Sequence, residues 1–466
     1  MGTEDVDVVV IGMGPGGEDV AARVARGGLS VVGIDRNLVG GECPYYGCVP
    51  TKMMVRAAGA IAETHRVGEL AGWAQVDPDW APVARRIRDE ATDDWDDTVA
   101  VERFEKAGGR FVRGTGRITG PGEVTVGDRV FRARRGIVIS TGTEPAVPPI
   151  PGLHGTPFWT NRDAVRTERV PDSLIVLGGG AIGTEFTQVF ARFGATVTIV
   201  EAADRLLPLD EPEAGAVVAE VFAAEGVDVR TGTRAQRVRH DGTAFTVTLD
   251  SGAEVTAEHL LVATGRRIDL AELGVEAVGL DASARFVPVD ERLRALDPVA
   301  GSSAATVPGV WAVGDVTGRG AFTHVAVYQA PIAAADILGH DGPPAAYHAV
   351  PRVTFTDPEV GAVGLTEAAA RERGLRVRVG VAAVPSSARG WLHRAGNEGV
   401  IKLVEDADRG VLVGATSVGP SGGEVLGALA VAVHAQVPTA VLDGMIWAYP
   451  TFHRAIADAV ASLGEG

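Results

Sequence analysis

Two stretches of this chain follow one plan. Val6 to Ile11 is a continuous apolar, β-branched run, and Gly12-Met13-Gly14-Pro15-Gly16-Gly17 follows it directly. A helical stretch from Glu18 to about Arg26 and a second apolar run, Ser30 to Ile34, lead to Asp35. The plan returns as a strand over Ser173–Leu177, then Gly178-Gly179-Gly180-Ala181-Ile182-Gly183, a helix from Ile182 to about Phe193, a strand over Thr196–Val200, and Glu201. From first glycine to closing acid the interval is the same in both copies, 12 to 35 and 178 to 201. Uninterrupted apolar strands are buried on both faces, which parallel sheets covered by helices provide. A glycine-rich turn between such a strand and a helix lets the backbone approach a pyrophosphate at the helix N-terminus, and the acid accepts from the ribose hydroxyls. Gly12, Gly14, Gly17 and Asp35, and Gly178, Gly180, Gly183 and Glu201, are therefore candidate contacts for two dinucleotides, one held and one exchanged. Glu201 would repel a 2′-phosphate and favours NAD(H); Arg205, nearby, keeps NADP(H) as the lesser alternative.

Between the first copy and the rest lies Gly40-Gly41-Glu42-Cys43-Pro44-Tyr45-Tyr46-Gly47-Cys48-Val49-Pro50-Thr51-Lys52, which holds both cysteines of the chain. A zinc site needs four ligands, and there is no second cysteine pair. A structural staple is rare in a reducing compartment. A redox-active dithiol is the third reading. Pro44 and Gly47 permit a tight turn, and the run after Cys48 is helical, so its N-terminal amides favour a thiolate. Lys52 lies about one helical turn beyond Cys48.

The charge balance excludes other classes. With 43 basic and 60 acidic residues the net charge is −17, the opposite of a nucleic-acid footprint. No apolar run reaches the length of a membrane helix, and the acidic start Met1-Gly2-Thr3-Glu4-Asp5 is no signal peptide. These features predict a cytoplasmic protein without nucleic-acid or membrane partners. Further along, the pattern predicts a helix from Pro50 to about Glu63 and a second long helix over Pro82–Ala107, whose Asp93, Asp94, Asp96 and Asp97 read as a solvated face. A small antiparallel sheet inserted as a crossover is expected over Phe111–Arg134. A buried strand is expected over Gly136–Thr143, and a proline-marked linker over 145–157. Thr141-Gly142 and Ala263-Thr264-Gly265-Arg266 each close one nucleotide unit, and Gly314-Asp315 follows a third buried strand. From Val350, strands near 351–355, 376–384, 399–404 and 411–418 precede helices near 420–436 and 451–463, an α+β unit.

With these motifs in order, the chain resembles the FAD-dependent pyridine nucleotide-disulfide oxidoreductases, the group of dihydrolipoamide dehydrogenase and glutathione, mycothione and mercuric reductases. The resemblance rests on Gly12–Gly17, Gly41–Lys52, Gly178–Glu185, Ala263–Arg266, Gly314-Asp315 and Phe355–Gly361. It implies an α/β fold with two Rossmann-like dinucleotide-binding domains and a C-terminal α+β dimerisation domain. FAD binding would occupy 1–150, NAD(P) binding 151–275, a central part completing the FAD domain 276–348, and the interface domain 349–466. Asp35, Gly41, Lys52, Gly116, Thr141, Gly142, Asp315 and His324 would lie along the FAD, and Gly265 would serve the NAD(H) unit. Cys48 would face the flavin and Cys43 exchange with substrate, with Lys52 paired to Glu185. The enzyme would be a homodimer that passes electrons from NAD(P)H through FAD and the Cys43–Cys48 disulfide to a small-molecule disulfide.

The family's thiol reductases carry a histidine base and an orienting glutamate near the C-terminus. This chain has Tyr449 and Arg454 in those positions. A phenol is a poor base at neutral pH. His453, expected on the terminal helix, is the candidate for a displaced base. The loss of the base opens an alternative: a quinone, a dye or a metal ion as acceptor. The end, Ser462-Leu463-Gly464-Glu465-Gly466, lacks the cysteine pair of mercuric reductases, which weighs against mercury. Trp391 and His393 are further candidates for the acceptor site, or an ordinary strand-end pair.

Overall fold

The computed structural model describes residues 2–298 and 305–464; Met1, Glu465 and Gly466, named above, lie outside them. The chain forms two compact units, each assembled from separate stretches. One takes residues 1–50, 88–145 and 266–347, the other 51–87, 146–265 and 348–466.

In the first unit the valine-rich strand Gly2–Ile11 is central. It pairs in parallel with Val31–Asp35 on one side (Val10 with Gly33, Ile11 with Ile34) and with Arg129–Ile139 on the other (Val10 with Val138, Ile11 with Ile139). Thr306–Ala312 continues the parallel order beyond Arg129–Ile139, and Arg110–Arg113 continues it beyond Val31–Asp35. Val8, Val9, Val10, Ile137, Val138 and Ile139 are fully buried. Each such side chain contributes about 1.5–3 kcal/mol on leaving water. The register sets the carboxyl ends of these strands side by side, where open α/β sheets gather ligands. The helices Pro15–Arg26 and Thr323–Leu338 pack on one another, with Gly16 against Ala326.

The expected crossover sheet is not separate. Arg117–Gly120 and Glu123–Val126 form a hairpin that adds antiparallel to the main-sheet strand Arg129–Ile139, while Arg110–Arg113 is a parallel edge strand. The expected helix over 82–107 is broken. An α-turn Ala81–Arg86 runs into a π-turn Ile87–Ala91, and Asp93, Asp94 and Trp95 all take positive φ before the helix Thr98–Lys106. Tertiary bonds decide this. Asp97, expected on a solvated face, is buried and accepts from the Val39 amide at 2.6 Å and from Arg113 at 2.5 Å.

The second unit repeats the glycine plan on a smaller parallel sheet ordered Asp228–Arg230, Thr196–Val200, Ser173–Leu177, His259–Val262. It also holds a five-stranded antiparallel sheet under the helices Gly422–His434 and Ala455–Ser462. One of its strands, Glu359–Gly364, went unread because two glycines and the preceding Pro358 resemble a turn; it pairs along its length with Val411–Gly419. Lys402 on this sheet is buried with Nζ 3.0, 2.8 and 3.0 Å from carboxylates of Glu211, Glu213 and Glu367. Burial alone would pull the ammonium down; the three acids overcome it and hold it well above the lysine range. Lys402→Met should destabilise the protein by about 3–5 kcal/mol, because carboxylates are left without their cation. Chemical denaturation should record the loss as a lower midpoint with unchanged slope.

Candidate functional site

The two glycine turns share their tightest backbone contacts. Gly12 and Gly178 take φ of +95° and +110°, which only glycine adopts without strain. A Cβ on Gly17 would lie 1.9 Å from the Gly12 carbonyl oxygen, and one on Gly183 would lie 1.9 Å from that of Gly178. Helix and strand therefore touch through bare backbone. The middle glycines are different. A Cβ on Gly180 meets nothing within 4 Å, and one on Gly14 only the Gly41 Cα at 3.9 Å. The helices Pro15–Arg26 and Ala181–Arg192 that follow have glycine N-caps without a side-chain acceptor. Their first-turn amides thus face space that a pyrophosphate fits.

The closing acids are held in matching ways. Asp35 accepts from the Met13 and Asn37 amides, both at 2.7 Å. Glu201 accepts from the Gly179 amide at 2.5 Å and the Ala203 amide at 2.6 Å. Burial pushes the Asp35 carboxyl up, against the two amides, which pull it down. Arg205 turns away to the Pro208 carbonyl at 3.0 Å and to Asp204.

The cysteine turn lies against the first glycine turn. Gly41 takes φ +69°, and a Cβ there would be 2.9 Å from the Gly14 Cα. Cys43 stands in the short helix Glu42–Tyr45 and is half-buried, while Cys48 is the exposed first residue of the helix Cys48–Leu70. That helix starts earlier than the expected Pro50, which puts Cys48 in its first turn. Tyr46 and Gly47 both donate to the Glu42 carbonyl, at 2.8 and 2.7 Å, folding the chain back between the sulfurs' residues. Cys48 Sγ is 3.6 Å from the Thr323 hydroxyl, at the N-terminus of Thr323–Leu338. In the same unit, Asp315 is not an α-helix N-cap; it opens a 3-10 turn and accepts from Thr143 Oγ1 at 2.8 Å. Gly116 is buried with its Cα edge toward Ile11 and Ile34, Thr141 and Gly142 follow the strand Arg129–Ile139, and His324 stacks on Phe322 at 5.2 Å.

In the second unit Lys52 is no solvated lysine. Its Nζ donates to both oxygens of the buried Glu185, at 3.1 and 2.8 Å, and sits 4.7 Å over the Phe355 ring. Glu185 also accepts from the Phe355 amide at 2.9 Å. Gly265 takes φ +124° with open space at its Cα. Tyr449 is 74% exposed. His453 lies on the 3-10 turn Phe452–Arg454, not on the terminal helix, with its ring 6.0 Å from Trp447. Trp391 and His393 lie in a short helix, Ala388–His393, not at a strand end. His393 packs edge-on to Phe452, and Arg454 is bound to Asp458 at 2.7 Å. Thr143 and Thr323 are not among the candidate residues read from the sequence, and Phe355 stands there only as the start of the Phe355–Gly361 motif, with no role at Lys52 and Glu185. Thr143 follows Thr141-Gly142 directly, whereas only the fold links Thr323 to Cys48.

Residues 6–330 match the family model described as pyridine nucleotide-disulphide oxidoreductase, and residues 350–460 match that family's dimerisation domain. The chain belongs to the pyridine nucleotide-disulphide oxidoreductases. It is 32% identical to a dihydrolipoyl dehydrogenase of Thermus scotoductus over 98% of this chain and 97% of that one. It is 33% identical to a mercuric reductase of Streptomyces lividans, over 92% and 90%. Among solved structures it resembles the Cu(II) complex of the HOCl-induced flavoprotein disulfide reductase RclA from Escherichia coli. That match is 26% identical, covers 98% of this chain and 99% of that one, and has a TM-score of 0.82. LpdA from Mycobacterium tuberculosis matches at 27% identity over 98% and 100%, with a TM-score of 0.83. This pyridine nucleotide-disulphide oxidoreductase is accordingly an enzyme, a flavoprotein disulfide reductase that uses FAD and NAD(P)H. Among its described residues no helix is long and apolar enough to cross a membrane.

The glycine geometry makes a sharp forecast. Gly180 has extended φ and ψ and open space. Gly180→Val should leave thermal stability unchanged while calorimetric titration loses NADH binding. Gly183→Ala should instead cost about 1–3 kcal/mol of stability, because its methyl group enters the space of the Gly178 carbonyl.

Proposed function

We propose that this enzyme passes electrons from NADH through FAD to the Cys43–Cys48 pair and on to a small-molecule disulfide, as a homodimer. One observation carries the reading: the cysteine turn packs backbone to backbone on the first glycine turn, Gly41 on Gly14. Gly12, Gly14, Gly17, Asp35, Gly116, Thr141, Gly142, Asp315 and His324 hold the FAD; Gly178, Gly180, Gly183, Glu201 and Gly265 hold the NADH. FAD, when bound, supplies the two-electron link between a nicotinamide and a dithiol. Lys52 and Glu185 serve the same relay; a lysine neutralised by a buried carboxylate is supported one turn along the helix that Cys48 begins. Cys48 would be the sulfur on the flavin side, and the Thr323 hydroxyl, 3.6 Å from it, would donate to it as a thiolate. The Cys43 thiolate attacks the acceptor disulfide and one acceptor thiolate leaves. Cys48 then closes the bond to Cys43 and releases the second. With a phenol at 449 and, among the described residues, no carboxylate bonded to His453, the leaving thiolates take their protons from water. Anaerobic NADH titration should raise a long-wavelength thiolate-to-flavin absorption band. It should be absent in Cys48→Ser and weakened in Thr323→Val but not in Thr323→Ser. A wild-type enzyme without the band removes the dithiol from the path.

A second reading keeps the flavoenzyme and replaces the acceptor by a quinone or a metal ion. The replaced base motivates it, and relatives named for mercury reduction and a copper-bound structural neighbour support it. Cys43→Ser decides between the two. Disulfide turnover falls at least a hundredfold on the first reading, whereas NADH–quinone or NADH–metal turnover persists on the second.

A further inference from the structure

Four motifs lying far apart in sequence meet around one guanidinium in the first unit. Arg266 donates Nε–H to Thr143 Oγ1 at 2.5 Å and Nη2–H to the Thr143 carbonyl at 2.6 Å. The Thr143 hydroxyl, having accepted from Arg266, donates to Asp315 Oδ2 at 2.8 Å. On its other side Arg266 Nη2 stands 3.8 Å from Glu42 Oε2. The pair is largely withdrawn from solvent, with side chains 20% and 25% exposed, and Thr143 is buried. The strand pair Arg266–Arg267 with Glu144–Pro145 fixes the backbone from which Arg266 reaches.

One cation thus serves two acids. Glu42 immediately precedes Cys43, and Asp315 opens the turn after the strand Thr306–Ala312. Desolvation pushes the Asp315 carboxyl up, the Thr143 hydrogen bond and Arg266 pull it down, and Glu42 pushes it up again. The two acids therefore oppose each other, and Arg266 stands as a cation between them. A carboxylate beside a cysteine disfavours the thiolate, and a guanidinium cancels that effect.

We propose that Arg266 is the positioning residue that couples the two turns: it neutralises Glu42 so that Cys43 ionises, and through Thr143 it aims Asp315 at the FAD. The inference rests on Cys43 being the exchanging sulfur.

The test uses the purified flavoprotein, reduced and freed of reductant under anaerobic conditions. Iodoacetamide labelling of the Cys43 peptide is followed by mass, and FAD release is followed by its fluorescence. Arg266→Met should slow Cys43 labelling about tenfold at neutral pH and speed FAD release. Arg266→Lys should label within about twofold of wild type, since it keeps the charge. Adding Glu42→Gln to Arg266→Met should restore labelling but not FAD retention. Labelling of Arg266→Met at the wild-type rate overturns the proposal, and so does failure of Glu42→Gln to restore it, because a merely structural arginine would not be rescued by removing an acid. Should Arg266→Met not fold, Glu42→Gln alone decides. It should raise the labelling rate about threefold, and an unchanged rate overturns the proposal. Labelling reads the thiol whether or not the pair turns over, so its outcome is separate from that of the NADH titration.

Discussion

Contact between bare backbones at Gly17 and at Gly183 is the constraint from which the rest follows. With no side chain between helix and strand, each helix starts directly over the carboxyl edge of its sheet. Five parallel strands make up that part of the first unit's sheet, and the turns after three of them carry Gly12–Gly17, Thr141–Thr143 and Gly314-Asp315. A methyl group at either position would force the helix outward, and the uncapped amides that suit a pyrophosphate would move with it. The adjacent middle glycines leave open space, which the proposed dinucleotides would take.

Electrostatics then sort the acids of a strongly negative chain. Asp35 and Glu201 are each oriented by two backbone amides, so their oxygens are aimed without any cation nearby being required. Glu185 and the trio around Lys402 are instead matched by lysines, since a buried carboxylate without a partner costs several kcal/mol. Glu42 pairs with Arg266 directly, and Asp315 is linked to the same arginine through the Thr143 hydroxyl. In each case the arrangement satisfies the charge first, and chemistry uses what the satisfied group then presents.

In the proposed relay, thiolate stability comes from groups other than a histidine base. Tyr449 is exposed, and Arg454 is committed to Asp458 rather than to a histidine. What remains within the first unit are groups around the cysteines themselves: the first turn of Cys48–Leu70, the Thr323 hydroxyl, and Arg266 beside Glu42. In that relay they would act on the resting thiolate rather than on a departing proton.

What the sequence determined by itself was everything that repeats or recurs at short range. Apolar runs closed by GxGxxG and an acid give strands, turns and helices in fixed order, because the steric demands at Gly12, Gly17, Gly178 and Gly183 are local and glycine alone meets them. The cysteine turn was legible for the same reason, from Pro44, Gly47 and the helix that follows. Tertiary structure alone decided the pairings across long intervals. It broke the 82–107 helix, whose charge periodicity was sound, by drawing Asp97 inward to Val39 and Arg113. It made a strand of Glu359–Gly364 despite its glycines, since both flanking strands offer a full ladder. It also brought Thr143, Arg266 and Asp315 into one hydrogen-bonded chain and set Thr323 against Cys48. Spacing along a chain reports rotations about neighbouring bonds; which distant groups share a buried charge depends on how the packed layers close, and no local pattern encodes that.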